Sequence, residues 1–209
     1  MSDSQFFVYQ CPYCRLRFPF AGSSVIRCPH CRGDVAPLTA YPNPKVVADL
    51  PRPPGPPVEA LLDNIRSAFN VGSMFRASDG AGVRQMHLCG ITTTPDQPKL
   101  AKTALSTEQN LPWKHYPNCL DPLPAFQQAG YRLWALEGGE KAVSLFELKK
   151  ELAGPPIVLI AGSELAGVDP DLLAACEHVV SIPMQGPKRS LNVAVAFSIA
   201  AYYLRFGGW

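Results

Sequence analysis

From residue 58 onward the chain alternates between two hydrophobic patterns. Short runs rich in Val, Ile and Leu read as strands at Val58–Leu62, Val83–Leu88, Tyr131–Leu136, Ile157–Ile160 and His178–Ile182. Helical spacing separates them at Val71–Ser78, Lys99–Leu105, Leu123–Gln128, Asp171–Ala175 and Leu191–Leu204. The run "IVLIAG" is apolar at every position before its glycine, as in a strand covered on both faces of a parallel sheet. Strands alternating with helices predict an α/β domain with a mostly parallel sheet.

The last helix departs from the usual amphipathic pattern. In "GPKRSLNVAVAFSIAAYYL", Gly186 to Leu204, residues from Val193 onward are apolar on nearly every side, yet Lys188, Arg189, Ser190 and Asn192 stand at the opening. Ser190 is the natural N-cap. Asn192 falls in the first turn of a buried helix, where an amide without partners costs about 1–3 kcal/mol, so it is expected to face a polar site. The apolar run Val193–Leu204 is 12 residues long, short of the roughly 20 that span a bilayer. No membrane association is expected.

Before residue 58 the composition changes. Residues 41–57 hold seven prolines and read as a semi-rigid linker. It separates a module rich in Cys and Arg, residues 1–40, from the α/β domain, residues 58–209. The start "MSDSQFF" lacks the basic and apolar regions of a secretory signal, so a reducing, cytoplasmic location is expected. There, seven cysteines read as metal ligands and core thiols before disulfides. The formal net charge of +2 does not by itself announce a nucleic-acid binder.

In the first module Cys11-Pro-Tyr-Cys14 and Cys28-Pro-His-Cys31 are separated by 13 residues. Two such turns bring four sulfurs to one ion, which predicts a structural Zn²⁺ held by Cys11, Cys14, Cys28 and Cys31. So small a module has little other means of stabilisation. His30 is expected outside the ligand set, and Cys89, Cys119 and Cys176 in or near the core. Arg15, Arg17, Arg27 and Arg32 face Asp3 and Asp34, but four thiolates on zinc cancel the surplus. RNA contact and docking of a protein partner both remain open for this ribbon.

Three segments of the larger domain carry candidate chemistry. "DNIRSAFNVGSMFRASDGAGV" sets Asn70 as a possible helix cap and Gly72 four residues before Arg76 on one helical face, with the glycine permitting close approach of a ligand or another backbone. "IAGSELAGVDPDLL" brackets Glu164 between Gly162 and Gly167, after a strand whose carboxyl end is where α/β sheets bind ligands. Its glycine intervals are not those of a dinucleotide fingerprint. The third is the helix opening, preceded by "VVSIPMQG".

Together these segments resemble the SpoU/TrmH family of SPOUT methyltransferases, over about Val58 to Phe206. The resemblance rests on Asn70-Val-Gly72-Ser-Met-Phe-Arg76, Gly162-Ser-Glu164-Leu-Ala-Gly167, and Ile182-Pro-Met184-Gln-Gly186 followed by Ser190-Leu-Asn192-Val. In "KTALSTEQNLPW" the pair Ser106-Thr107 stands where Gly-Ala is usual, and Leu165 also departs from the family pattern. The resemblance implies a C-terminal trefoil knot, an obligate homodimer, and S-adenosylmethionine-dependent methylation of a ribose 2′-hydroxyl in tRNA or rRNA. It places Leu159, Gly162, Ile182, Met184 and Leu191 around the cofactor, and Asn70, Arg76, Glu164, Ser190 and Asn192 at the catalytic centre. It also implies that the apolar helix is buried between knot and dimer partner. Lys188 and Arg189 are the nearest candidates for phosphate contacts, since the domain from Val58 has 13 Lys and Arg against 14 Asp and Glu. The rival readings are an inactive RNA-binding or adaptor protein using the ribbon, and a nucleotide-dependent oxidoreductase, which lacks its glycine fingerprint.

Overall fold

The computed structural model describes residues 5–42, 55–104 and 106–207. Most of the proline-rich segment 41–57 and Leu105, the expected end of a helix, lie outside the described residues. The chain divides into two compact units, Met1–Pro51 and Arg52–Trp209.

In the smaller unit β1 (Phe6–Gln10) is the centre of an antiparallel sheet, flanked by β2 (Arg17–Ala21) and β5 (Pro37–Ala40). The short strands β3 (Ile26–Arg27) and β4 (Asp34–Val35) pair separately. The core is one buried tyrosine, Tyr9, with Val35, Cys11 and Cys28. Phe18 stacks on the Tyr9 ring at 5.8 Å, and the Tyr9 hydroxyl donates to the Ser24 carbonyl at 2.7 Å. This is a small apolar core for a unit of this size.

The larger unit runs β6 (Val58–Asp63), α1 (Ala68–Ala81), β7 (Met86–Cys89), α2 (Pro98–Ala104), β8 (Trp113–Tyr116), α3 (Leu123–Gln128), β9 (Arg132–Leu136), β10 (Val143–Ser144), β11 (Ile157–Ala161), α4 (Pro170–Ala174), β12 (His178–Ser181) and α5 (Val193–Phe206). Seven strands form one sheet in the order β10-β12-β9-β11-β6-β7-β8, and every pairing is parallel. Strand alternation sends Ala60, Leu62, Ile157, Leu159 and Ala161 to one face, against α1, α2 and α5. Leu61, Val158 and Ile160 go to the other, against α3 and α4. All five residues of β11 are buried, as a central parallel strand requires.

Two strands escaped the periodicity. In β8, "WKHY", the two middle residues are exposed, and β10 has two residues. Both lie at sheet edges, where one side of the ladder and part of each face meet solvent, so neither carries a strong apolar signal. Helix α1 also begins earlier than its apolar pattern indicates. Its N-cap is Ser67, whose hydroxyl accepts from the Asn70 N–H at 3.3 Å, so Asn70 is not the cap.

Gly72 serves backbone approach. A Cβ there would lie 2.6 Å from the Thr103 Cβ and 3.0 Å from the Ala104 nitrogen, so its absence lets α2 pack onto α1. Arg205, near the end of α5, is buried and bonds three carbonyls. Its Nε donates to Ala81 at 3.2 Å and its Nη1 to Gly55 at 2.9 Å and to Pro56. It fastens α5 to the end of α1 and to the segment entering β6. Among the described residues no helix is long and apolar enough to cross a membrane.

Arg205→Met keeps most of the stem volume but leaves these buried carbonyls without donors. Stability is expected to fall by about 2 kcal/mol, a drop of roughly 4–8 °C in Tm, read by thermal unfolding. An unchanged Tm contradicts this role.

Candidate active site and cysteine cluster

The carboxyl ends of the strands set the site. The segment leaving β6 turns through Asn64, whose φ of 57° is left-handed, and enters α1 at Ser67. The segment leaving β11 folds back on itself, with Ser163 and Gly167 exchanging backbone hydrogen bonds at 2.9 Å each. Glycine is required at both ends. A Cβ on Gly162 would lie 2.3 Å from the Gly167 carbonyl carbon, and Gly167 has a φ of +79°.

This loop carries Glu164 to the start of α1. Its Oε2 accepts from the Arg66 N–H at 3.2 Å, and its Oε1 from the Ser67 N–H at 3.3 Å and the Asn70 Nδ2 at 2.9 Å. A carboxylate suits a helix N-terminus because the unpaired N–H groups there are positive. Since Asn70 donates to Glu164, its Oδ1 points away and accepts from the Asn192 Nδ2 at 3.1 Å. The Asn192 Oδ1 in turn accepts from the Ala194 and Val195 N–H groups at 2.9 and 3.3 Å, capping α5. One polar chain thus runs from the start of α1 through Glu164, Asn70 and Asn192 to the start of α5. It fixes the orientation of both amides.

The N-cap of α5 is therefore Asn192, not Ser190, and the helix starts two residues later than its apolar pattern predicts. Asn192 is exposed in the single chain, not buried, and its amide is satisfied by the cap and by Asn70. Ser190 stands in the preceding loop, facing the cleft.

That cleft has a volume of about 620 Å³. Its walls are the loop after β9 (Gly138, Gly139), the Gly162–Gly167 loop, the segment after β12 (Ile182, Met184), and Arg189–Val193 leading into α5. Leu136, Val180 and Ala196 add apolar surface. The size is that of a site for a small organic molecule, and its lining mixes these apolar side chains with the polar Glu137, Ser163, Glu164, Arg189, Ser190 and Asn192.

The structure brings Gly162, Glu164, Ile182, Met184, Ser190, Leu191 and Asn192 together in this cleft. Asn70 stands behind Glu164. Leu159, expected beside the cofactor, is instead wholly buried within β11, because the open edge of the sheet begins at Gly162. Arg76 is outside the cleft wall. It lies exposed on α1, six residues and about 9 Å along the axis beyond Asn70. Lys188 is exposed beside Arg189 but does not line the cleft.

Sequence reasoning missed two carboxylates that fix the loop. Glu137, next after β9, accepts from the Val168 N–H at 3.0 Å, and Asp63, the last residue of β6, accepts from the Asp169 N–H at 2.9 Å. The signal was present in "WALE" and "LLD": an acid closing an apolar strand stands at the sheet's ligand-binding edge. Burial pushes the Asp63 carboxyl up despite that N–H. Glu164 behaves oppositely. Partial burial works against its ionisation, but the Asn70 amide and the backbone N–H groups outweigh it and hold the carboxyl below the ordinary range.

In the smaller unit the sulfurs of Cys11, Cys14, Cys28 and Cys31 all lie within 4.8 Å of one another. Cys11 and Cys31 are 3.4 Å apart, Cys14 and Cys28 3.6 Å. Zinc–sulfur bonds of about 2.3 Å span a tetrahedron with edges of about 3.8 Å, so the spacing suits that ion. Burial works against ionisation of Cys11 and Cys28. The backbone N–H groups of Tyr13 and Cys14 aimed at the Cys11 sulfur, and those of His30 and Cys31 at Cys28, outweigh it and bring both thiols down. Burial and the neighbouring sulfurs instead push Cys14 up to about 12.

Comparison with known proteins decides the family. The family model described as "SpoU rRNA Methylase family" matches residues 57–202. The chain belongs to this family. It is 29% identical over 170 residues to the 23S rRNA (guanosine-2′-O-)-methyltransferase RlmB of Pseudomonas syringae pv. tomato, covering 81% of this chain and 66% of that protein. The Ralstonia nicotianae protein of the same name is 30% identical over 153 residues, covering 71% of this chain and 58% of that protein. The chain thus spans less than two thirds of the length of these relatives. Among solved structures, the AdoMet-bound rRNA methyltransferase from Sinorhizobium meliloti superposes with a TM-score of 0.67 at 26% identity, covering 74% of this chain and 57% of that one. A structure reported for the 2-OH methylation of C/U34 on tRNA gives a TM-score of 0.64 at 27% identity, covering 75% of this chain and 99% of that one.

The low pKa of Glu164 has a readable source. Its folded value lies below the unfolded one, so its stabilising bonds are complete above the unfolded pKa of about 4.3 and are lost as pH falls through the folded value. Asn70→Ala removes the side-chain donor and should move the Glu164 midpoint upward in a carbon-13 NMR titration. An unmoved midpoint would separate Asn70 from the carboxylate.

Proposed function

We propose that the chain methylates a ribose 2′-hydroxyl of tRNA or rRNA, using S-adenosylmethionine held in the cleft at the carboxyl edge of the sheet. The observation that carries this reading is the meeting of all three motif segments at one place, by way of the Glu164–Asn70–Asn192 chain. The family membership and the relatives' named activities support it. The cofactor fits by chemistry: the cleft volume of about 620 Å³, its apolar Ile182, Met184 and Leu191, and its exposed loop backbone suit an adenosine with a short polar tail.

S-adenosylmethionine, when bound, supplies a methyl group on a sulfonium for in-line displacement. Gly162, Ile182, Met184 and Leu191 hold it, with Leu159 supporting the strand beneath. Glu164 acts as an anchor: its oxygens already accept three hydrogen bonds, and its low pKa makes it a weak proton acceptor. Asn70 and Asn192 keep the starts of α1 and α5 in register, and Ser190 and Asn192 help position the target nucleotide. Arg76, exposed and without a hydrogen-bond partner among the described residues, grips a target phosphate and stabilises the developing alkoxide. A guanidinium with a pKa above about 12 does not serve as the base. The proton leaves to water or a phosphate oxygen.

The same reading includes a homodimer and a C-terminal knot in a cytoplasmic enzyme. Val195, Ile199, Tyr202 and Phe206 form an exposed apolar stripe on α5, spaced for one face of a helix, and a second copy of the chain is its proposed cover. Cys11, Cys14, Cys28 and Cys31 hold a structural Zn²⁺ in the ribbon.

Tritium transfer from labelled S-adenosylmethionine to total RNA tests the activity. The wild-type chain should label RNA, whereas an inactive adaptor would not. Arg76→Ala should lower kcat by roughly 10²–10³ with little change in cofactor affinity. Arg76→Lys keeps the charge without the planar fork and should remain impaired. Near-normal transfer by Arg76→Ala would remove this residue from the catalytic site.

A further inference from the structure

The two cysteine turns of the ribbon are copies of each other in sequence and in backbone. Both read Cys-Pro-x-Cys-Arg, at Cys11–Arg15 and Cys28–Arg32. The Arg15 N–H donates to the Cys11 carbonyl at 2.9 Å, and the Arg32 N–H to the Cys28 carbonyl at 3.0 Å. Each turn closes with the first cysteine's N–H donating at 2.8 Å, to Leu16 in one and Gly33 in the other. Both arginines are left-handed, with φ of 65° and 66°. Glycine takes this conformation without steric cost, and a long side chain does not. An arginine placed there twice is costly for the fold, so its benefit lies elsewhere.

The side chains indicate where. Arg17 donates to Gln10, and Arg27 pairs with Asp34 at 3.2 Å. Among the described residues, Arg15 and Arg32 have no such partner, and both are exposed. Beside them stand Tyr13, 74% exposed, and the exposed His30. The Tyr13 ring lies against the second turn, where a Cβ on Gly33 would come within 2.4 Å of it. The Tyr13 ring therefore bridges the two turns, which between them expose two guanidiniums and two rings.

We infer that this paired tip binds unpaired RNA, the guanidiniums taking phosphates and Tyr13 and His30 stacking on bases. Arginine and aromatic faces together match a single strand, which offers both a charged backbone and exposed base planes. This rests on RNA being the substrate. It adds a second RNA contact, carried by the smaller unit, that contributes affinity and not chemistry.

Glycine is the incisive substitution, because it relieves the left-handed backbone while removing the contact. Full-length Arg15→Gly/Arg32→Gly should keep its metal and melt no lower than the wild type. Its affinity for a short fluorescent single-stranded RNA, followed by anisotropy, should fall roughly tenfold or more. The slope of log affinity against log salt should shrink by about 0.7 per arginine lost. In methyl transfer KM for RNA should rise with kcat unchanged. Arg15→Lys/Arg32→Lys should retain the salt slope and lose part of the affinity. Unchanged affinity and slope in the glycine variant would overturn the inference and point to a protein partner. Loss of metal from that variant would also overturn it, by making the arginines structural. A wild-type chain that binds this RNA through the tip yet labels no RNA would sink the methyltransferase reading alone.

Discussion

One carboxylate organises the larger unit. Glu164 leaves β11 on a loop of its own, yet its oxygens are occupied by the first N–H groups of α1 and by Asn70. Each of those donors stands at the start of α1, where the helix has no carbonyl of its own to offer. Asn70 passes the constraint to Asn192, and Asn192 passes it to the first turn of α5. Two helix starts, 122 residues apart at Asn70 and Asn192, and one strand-end loop therefore share a single hydrogen-bonded line. A charge at its head and helix N–H groups at both ends give the line a direction, so neither amide can reverse without losing bonds at both sides.

The rest of the site follows from the parallel sheet. Because every strand runs the same way, all the loops that follow strands emerge on one edge, and the acids that close β6 and β9 arrive there with them. Asp63 and Glu137 hold the far side of the Gly162–Gly167 loop while Glu164 holds the near side. The cleft lies between these loops and Arg189–Val193. Arg76 stands apart on the exposed side of α1.

Much of this was legible in the chain. The alternation from Val58 onward shows the parallel α/β domain because central strands such as "IVLIA" are apolar throughout, and α3 matches its expected bounds at Leu123–Gln128. The edge strands β8 and β10 were illegible for the opposite reason. Caps were misplaced because local pattern cannot choose among neighbouring polar residues. Ser67, Asn70, Ser190 and Asn192 are all competent N-caps, and tertiary bonds decide that Ser67 and Asn192 cap while Asn70 bridges. Arg205 was invisible as a buried residue, since only the fold reveals that three carbonyls surround it. The tight packing of α2 on Gly72 was hidden in the same way.

The central claim is that Glu164 and Asn192, which do not touch, hold the walls of the cleft as one unit through Asn70. Calorimetric titration with S-adenosylmethionine measures this directly, using Glu164→Gln, Asn192→Ala and the double variant in the wild-type and Asn70→Ala backgrounds. The account predicts a coupling of about 1 kcal/mol or more between the two positions, vanishing when Asn70 is removed. Additive effects in the presence of Asn70, or a coupling that survives its loss, would contradict it.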